Sequence, residues 1–372
     1  MIVYLRGRDV RTIGKQEIED MAVGAAVLAS GGGGDPYVGK LMALQAVDEY
    51  GPFQMMTLDE LPDDAWVCAS HMLGAPTVLV EKVPSGMEGV GAVDALEARH
   101  GRKFDAIMPL EAGGLNSLLP FQVAAAKGVP LVDADGMGRA FPELQHVTWN
   151  LFDIPACPAV LCDEKGNAVT VDAMDNAWAE RLARNACITT GGSVFMADYA
   201  MTGADAKRAS IPGTSTYCEV VGRTIREAQE RNEDPVPVIL EFLGGYELFR
   251  GKLDDVSRRT VGGFARGYAH FEGIDDYHGR ECELQFQNEH LIARSGDEIL
   301  CTAPDLIAVL DIETALPITT EGMKYGARGV VIGIPCSPHW RTPRGLEIAG
   351  PRYFGYDTDF VPIEERVKSI AK

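Results

Sequence analysis

A strand-helix-strand pattern between residues 104 and 135 constrains the fold more than any other part of this sequence. It begins with a short apolar run, FDAIMPL (104–110), and continues into a segment with one apolar face, 117–127, which stops at Gly128. A second apolar run, VPLV (129–132), follows directly. Two strands that are connected through a helix lie parallel in one sheet, so the pattern predicts an N-terminal α/β domain with a mostly parallel sheet.

Polar side chains follow three predicted strands at the points where the strands end. Glu111 follows the first run, and Asp133 and Asp135 follow the second. His71 follows a third apolar run, AWVCAS (65–70). Because ligands of open α/β sheets bind beyond the carboxyl ends of the strands, we expect these residues to form a catalytic cluster. Such a cluster could hold a divalent metal or act as acid and base; alternatively, the aspartates only shape a turn and the histidine only ends a strand.

The cysteines add one further candidate metal site. The eight cysteines form no C-x-x-C pair, so we expect no disulfide scaffold and interpret most of them as small buried residues. Cys336 and His339 follow the apolar run GVVIGI (329–334) with a spacing that can bind zinc. The candidate metal ligands are His71, Asp133, Cys336 and His339.

A run of four glycines separates two predicted helices near the N-terminus. The segment SGGGGDP (30–36) follows a segment with helical periodicity, 15–29, and its Asp-Pro pair is typical of the start of the next helix, 37–50. Exposed amides at a helix N-terminus form an anion site, which makes Gly32, Gly33, Gly34 and Asp35 candidate substrate-binding residues. The spacing matches neither a Walker loop nor a dinucleotide fingerprint. Alternatively, the glycines form a tight corner between the helices.

Further polar residues are candidates for substrate binding. Asn116 could bind a ring amide or lie beside a helix cap, and Arg139 could bind a substrate carboxylate or pair with Glu143. The run QNEH (287–290) is interpreted as part of one strand, with Asn288 and His290 on the same face. If that face meets the first domain, the site lies in a cleft between the domains.

The length and the charge of the chain limit its organisation and its partners. At 372 residues it exceeds a typical single domain, and we place a boundary between an α/β domain (1–165) and a β-rich α+β domain (166–372). The net charge of −20 argues against a nucleic-acid surface, and the longest apolar run, 22–29, is too short to cross a membrane. We therefore expect a cytoplasmic protein that acts on a small molecule.

The predicted second domain contains short strands separated by glycine-rich turns. Beyond Asp234 the apolar runs are interpreted mostly as strands, including VPVILEFL (236–243). Elsewhere, we predict a first strand at 2–5, a hairpin at 163–172, and helices at 175–186, at 217–231 and from about 364 onward.

Short motifs spread over nearly the whole chain resemble a known family. They are SGGGGDP (30–36), LGAP (73–76), EAGGLNS (111–117), DADGMGRAFPE (133–143), QNEHLIA (287–293), PDLI (304–307) and GPRYFGY (350–356). These motifs look like the family formerly labelled DUF917, which is associated with S-methyl thiohydantoin desulfurase. The resemblance implies hydrolysis of the C–S bond of a five-membered hydantoin-like ring, which gives a hydantoin and methanethiol and belongs to ergothioneine degradation.

The roles of individual residues are taken from their own chemistry and not from the family. Glu111, or the pair Asp133 and Asp135, is the candidate base for the attacking water, and His71 either donates a proton or joins the carboxylates around a metal such as zinc. Two other functions stay open. The chain could be a non-catalytic ligand-binding or regulatory subunit that partners a hydantoinase-type enzyme, or a phosphate-binding transferase, which the absence of a cation in segment 30–36 disfavours. The expected protein partner is either a second copy of the chain or a hydantoinase-type enzyme.

Overall fold

The computed structural model describes residues 10–75, 78 and 81–370. The strand predicted at 2–5 lies outside these residues. Across the described part of the chain, no helix is both long and apolar enough to cross a membrane.

The first domain is built on an eight-stranded sheet. Ten strands form this sheet and a small two-stranded ribbon: β1 (Arg11–Ile13), β2 (Phe53–Met56), β3 (Trp66–Gly74), β4 (Ala106–Pro109), β5 (Leu131–Val132), β6 (Ala134–Asp135), β7 (Ala159–Cys162), β8 (Ala168–Val171), β9 (Ser193–Thr202) and β10 (Ile211–Pro212). The large sheet has the order β1-β2-β5-β4-β3-β9-β7-β8, and β6 pairs with β10. The four central strands, β2-β5-β4-β3, are parallel, and antiparallel strands flank them on both sides.

The second domain is built on a seven-stranded antiparallel sheet. Its strands are β11 (Tyr246–Val261), β12 (Phe264–Gly273), β13 (Glu281–Gln287), β14 (Glu289–Ser295), β15 (Glu298–Thr302), β16 (Leu306–Asp311) and β17 (Arg328–Ile334), in the order β15-β14-β13-β12-β11-β17-β16. The predicted combination of an α/β domain with a β-rich α+β domain is therefore confirmed. Strands β8 and β9 belong to the first sheet although they lie beyond residue 165, where the sequence placed the domain boundary.

Helices cover the first sheet and connect the two domains. They are Lys15–Leu28, Pro36–Tyr50, Glu88–His100, Leu119–Lys127, Thr148–Leu151, Asn176–Thr189, Gly203–Ala209, Thr214–Glu230, Pro235–Leu243, Pro343–Ala349 and Ile363–Ile370, with 3-10 turns at Gly114–Ser117, Asp275–Tyr277 and Pro338–Arg341. Two predicted helix ends are confirmed, one at an aspartate cap and one at a glycine. The Asp35 carboxylate accepts a hydrogen bond from the Tyr37 amide at 2.8 Å, and Gly128 ends its helix in the left-handed conformation with φ of 67°.

One predicted strand is wrong. The run 236–243 lies in the helix Pro235–Leu243, because Asp234 caps the first turn through the Val236 amide at 3.1 Å and Gly244 terminates the last turn in the left-handed conformation. The apolar content of this short run made it look like a buried strand, although its Asp-Pro start repeats the signal that correctly predicted the helix Pro36–Tyr50.

Two helices that cross at close range set the position of the glycine-rich segment. Helix Lys15–Leu28 packs on helix Thr214–Glu230 with glycines at the crossing. A Cβ atom added to Gly24 would lie 1.8 Å from the Cys218 carbonyl oxygen, and one added to Gly222 would lie 1.8 Å from the Asp20 carbonyl oxygen. The backbones of the two helices are therefore in direct contact at this crossing. This contact fixes the end of helix Lys15–Leu28, from which the glycine-rich segment begins.

Candidate active site

A small cavity of about 40 Å³ lies where the first sheet meets the second domain. Its walls come from the glycine-rich segment, strand β3, the loops after β4 and β6, helix Asn176–Thr189 and the start of β14. The lining residues are Gly33, Gly34, His71, Met72, Leu73, Gly74, Leu110, Glu111, Asn116, Met137, Phe141, Pro142, Glu143, Leu144, Arg184, Asn288 and Glu289. Both domains supply polar side chains to it, as is common for small-molecule sites.

Glu111 is the buried carboxyl group at the end of β4. One of its oxygens, Oε1, accepts a hydrogen bond from Asn116 Nδ2 at 2.7 Å, while Oε2 has only a long contact with the Phe141 amide at 3.4 Å. Burial raises the pKa of Glu111 to about 7, against the opposing effects of Asn116 and His71. A carboxyl group that titrates near neutrality and keeps one oxygen weakly held can take up and release a proton.

His71 lies beside Glu111 and is bound to a buried aspartate. Its Nε2 atom is 3.0 Å from Asp198 Oδ2, and both side chains are almost completely buried. Burial lowers the pKa of His71, but the charge and the hydrogen bond of Asp198, together with the charge of Glu111, outweigh that effect and raise the pKa. The pair therefore favours a positively charged imidazole beside Glu111. His71 lies within β3, three residues before its end, and not at the strand tip as predicted.

Asn116 holds the Glu111 carboxylate in place. Its Oδ1 accepts a hydrogen bond from the Met72 amide at 2.8 Å, and its Nδ2 donates to the Met72 carbonyl oxygen at 3.2 Å and to Glu111. Both N–H groups of the side-chain amide are thus engaged with the protein. Asn116 lines the cavity, and its contacts tie the loop after β4 to strand β3.

The glycine-rich segment contacts the second domain. The Gly33 amide donates a hydrogen bond to Glu289 Oε1 at 3.2 Å, and the His290 amide donates to the Ser30 carbonyl oxygen at 2.7 Å. A Cβ atom added to Gly32 would lie 2.0 Å from Glu289 Oε1, so a side chain at position 32 would force the Glu289 carboxylate to move. The predicted cradle thus faces a carboxylate of the protein itself. Gly33 and Gly34 line the cavity, whereas Asp35 caps a helix and lies in a separate surface groove.

The prediction of one continuous strand through QNEH is wrong. Strand β13 ends at Gln287, and β14 begins at Glu289 and runs back antiparallel to it, so Asn288 alone forms the turn. Asn288 has a φ of 60°, a conformation that asparagine tolerates better than most residues, and its Oδ1 accepts a hydrogen bond from the Ala265 amide at 2.8 Å. The tip of this hairpin brings Asn288 and Glu289 to the cavity. His290 instead packs its ring on Gly31 and contacts the Ile307 carbonyl oxygen at 2.9 Å.

Asp133 and Asp135 do not line the cavity. Asp133 accepts hydrogen bonds from the amide and the hydroxyl group of Thr216, at the start of helix Thr214–Glu230. Asp135 accepts from the Gly138 amide at 2.9 and 3.0 Å, which shapes the turn after β6. The three strand-tip carboxylates therefore have different surroundings. Asp135 stays close enough to Glu111 for their charges to interact, but only His71 and Glu111 of the predicted cluster line the cavity.

The two buried arginines near the site differ in their position. Arg139 does not line the cavity: its guanidinium donates to the carbonyl oxygens of Ala140, Pro304 and Asp305, and it does not contact Glu143 among the described residues. Glu143 is bound by Tyr353, Gln145 and Gln287 instead. Arg184 does reach the cavity wall, where Glu180 Oε1 accepts from its Nε at 2.7 Å and the Pro142 carbonyl oxygen accepts from Nη2 at 3.0 Å.

The candidate metal ligands form no metal-binding cluster among the residues that the structure describes. Within residues 10–75, 78 and 81–370, no group of three or more His, Cys, Asp or Glu side chains is arranged to hold a metal ion. The buried Cys336 lies beside the carboxylate of Asp305, which accepts from the Cys336 amide at 2.9 Å, and burial raises the pKa of its thiol well above its ordinary value. His339 Nδ1 is 3.1 Å from the Ser337 hydroxyl group.

Three residues of the site were missed by the sequence analysis. Asp198 is an acidic residue inside the apolar strand β9, Glu289 follows the turn at Asn288, and Arg184 lies on the inner face of helix Asn176–Thr189. A charged residue on an otherwise buried strand or helix face is a signal of a functional or paired group, and it identifies Asp198 and Arg184. Glu289 offers no such signal, because the turn that directs it is formed by a single residue.

Comparisons with known proteins agree with the two-domain division. A family model described as S-Me-THD-like, N-terminal domain, matches residues 16–173, and one described as S-Me-THD-like, C-terminal domain, matches residues 174–363. Among solved structures, the chain is similar to the crystal structure of a protein from Chromobacterium violaceum, with a TM-score of 0.79 and 23% identity over 95% of this chain and 100% of that chain. At this identity the likeness shows the fold alone. No curated protein matches the chain.

Proposed function

The chain belongs to the S-Me-THD-like family, and on that basis we propose that it hydrolyses the C–S bond of an S-methyl thiohydantoin-like ring. The products of this reaction are the corresponding hydantoin and methanethiol. The ring carbon C2 carries two nitrogens and the methylthio group, so water adds at C2 and methanethiol leaves. The reaction needs a base for water and a proton donor for the ring as its negative charge develops.

Glu111 is the proposed base. It lines the cavity, and its weakly held Oε2 can accept a proton from a water molecule placed next to the ring. Burial raises the pKa of Glu111 to about 7. A general base works best when its pKa lies near the operating pH, because it is then both strongly basic and largely deprotonated. This buried carboxyl group, at the wall of a cavity shared by two domains, is the observation that carries the proposal.

His71 and Asn116 are proposed to position Glu111 and to adjust its charge. Asn116 donates to Glu111 Oε1 and leaves Oε2 to the water. The imidazole of His71, held by Asp198, places a positive charge next to Glu111 and favours its carboxylate form. Asp133 and Asp135 have no part in the proposed mechanism, since their oxygens are bound by Thr216 and by the turn at Gly138.

The experiment that tests this function measures two products from the purified protein. An S-methyl thiohydantoin is supplied, released methanethiol is followed with a thiol reagent, and the hydantoin is identified by mass spectrometry. We expect both products in equal amounts, and a loss of about 100- to 10,000-fold in kcat for Glu111→Gln. Metal content and the effect of a chelator are measured on the same preparation, which tests a metal-dependent version of the reaction.

The outcome separates the hydrolase from a non-catalytic binding subunit. In a hydrolase, Glu111→Gln loses turnover but keeps its affinity for the hydantoin product, since the amide can still accept the Asn116 hydrogen bond. Binding of the ring without release of thiol by the unmodified protein would contradict the hydrolase and favour the subunit. The transferase is disfavoured further, because the Gly33 amide already faces Glu289 and not an open anion site.

A further inference from the structure

Resting on the proposed hydrolysis, we propose that Glu289 is a second catalytic residue, which protonates the ring nitrogen while Glu111 removes a proton from water. The second domain thereby supplies half of the acid-base pair. Glu289 lines the same cavity as Glu111, although the two residues come from different domains and lie far apart in the sequence.

The hairpin between β13 and β14 holds Glu289 in a defined position. Glu289 is the first residue of β14, directly after the turn at Asn288, whose side chain is fixed by the Ala265 amide. Backbone bonds also fix the flanking residues, because the His290 amide donates to Ser30 and the Asn288 amide donates to the Ala265 carbonyl oxygen at 2.7 Å. A carboxyl group supported in this way meets the positional requirement of a catalytic group.

The two oxygens of Glu289 have unequal partners. Oε1 accepts from the Gly33 amide at 3.2 Å, whereas Oε2 is buried and has no hydrogen-bond partner among the described residues. Glu289 as a whole residue is only 2% exposed. A buried polar oxygen without a partner is costly, so its presence at a cavity wall indicates a group that is completed by a ligand. A carboxylic acid at this point would have its O–H available to the cavity.

Burial and the neighbouring Glu111 favour the protonated form of Glu289. Burial raises its pKa well above the ordinary value, the nearby charge of Glu111 raises it further, and Arg139 opposes both effects. His71, Glu143 and Arg184 are the other charged or titratable groups on the cavity walls. Because two neighbouring carboxyl groups resist simultaneous ionisation, one of them stays protonated while the other acts as a base.

The protons balance over the complete reaction. The water oxygen bonds to C2, Glu111 takes one proton of that water, and the electron pair of the C2–N double bond moves to the nitrogen, which takes the proton of Glu289. The C2–S bond then breaks with its electron pair on sulfur. Glu111 returns its proton to the sulfur, and the new hydroxyl group gives its proton to Glu289 as the carbonyl forms. Hydantoin and methanethiol leave, and both carboxyl groups regain their starting protonation.

The test compares the pH dependence of kcat/KM for the unmodified protein and for Glu289→Gln. We expect a bell-shaped profile for the unmodified protein, in which activity rises as Glu111 loses its proton and falls at higher pH as Glu289 loses its own. Glu289→Gln, which keeps the acceptor for the Gly33 amide, is expected to lose about 100- to 10,000-fold in kcat and to lose the descending limb. An unchanged kcat with the descending limb intact would refute the proposal.

Two controls separate this role from a structural one. Glu321→Gln removes a partly buried carboxyl group, whose pKa desolvation raises to about 7 but which does not line the cavity, and it should leave the profile unchanged. Calorimetric binding of the hydantoin product to Glu289→Gln should stay within about threefold of the unmodified protein, which shows that the variant is folded. If the unmodified protein releases no thiol, the proposed function fails and the proposed role of Glu289 fails with it. If the unmodified protein releases thiol and Glu289→Gln is equally active, the proposed function stands and only the role of Glu289 fails.

Discussion

At the scale of single residues, the raised pKa of Glu111 links activity to stability. Its pKa of about 7 in the folded protein lies above the ordinary 4.5, so its favourable contribution is complete below pH 4.5 and is lost as the pH rises through about 7. Above pH 7 the buried carboxylate destabilises the fold. Glu111→Gln should therefore increase the free energy of unfolding at pH 8 by up to about 3 kcal/mol, with little change at pH 4.5. Urea unfolding at both pH values checks this, and an equal effect at both would contradict it.

The charge on His71 can be tested by removing its partner. Asp198→Asn keeps the shape of the side chain but removes the charge that raises the pKa of His71, so the imidazole becomes neutral and Glu111 loses a positive neighbour. The rising limb of kcat/KM should move up by about one pH unit. Asp254→Asn is the matched control, because Asp254 contacts His270 at 2.6 Å on the partly exposed surface of the second domain. A shift in both variants, or in neither, would count against the proposed role of Asp198.

The residues also mark the limit of what the sequence could reveal about the site. Glu111 and His71 were predicted to lie together because each directly follows an apolar run, and the two runs were predicted to be strands of one sheet. Asp133 satisfied the same rule, yet its carboxylate accepts from Thr216, whose helix lies far along the chain. Strand order tells which edge a residue occupies, but it does not tell which distant segment will pack against that residue.

At the scale of elements, two helices begin with the same Asp-Pro signal and allow a paired test. Asp35 caps the helix that follows the glycine-rich segment, and Asp234 caps the helix Pro235–Leu243. Asp35→Ala and Asp234→Ala should each lower the free energy of unfolding by about 0.5–2 kcal/mol, with KM unchanged in both. Thermal unfolding and steady-state kinetics measure these effects. A raised KM for Asp35→Ala alone would restore the prediction that Asp35 binds substrate.

Short elements explain where the sequence analysis failed at this scale. The parallel strands β4 and β5 and the helix between them were predicted because caps, periodicity and the glycine stop agree over residues 104–132. The segment 236–243 is apolar except for Glu241 and is short, so its pattern does not separate a strand from a helix, and only its capping residues do. The turn at Asn288 is a single residue, and its left-handed conformation interrupts a run that otherwise alternates like one strand.

At the scale of the whole molecule, the contact between Gly32 and Glu289 joins the two domains at the cavity. A Cβ atom at position 32 would occupy the place of Glu289 Oε1, so Gly32→Ala should displace the carboxyl group and lower kcat by at least about tenfold, while the distant parts of both domains stay folded. Gly91→Ala is the matched control, because a Cβ there meets only the Cys162 sulfur at 3.7 Å inside helix Glu88–His100. That variant should keep full activity and gain about 0.5–1 kcal/mol of stability. Full activity in Gly32→Ala would mean that the fit between the domains at this point does not position Glu289 for the reaction.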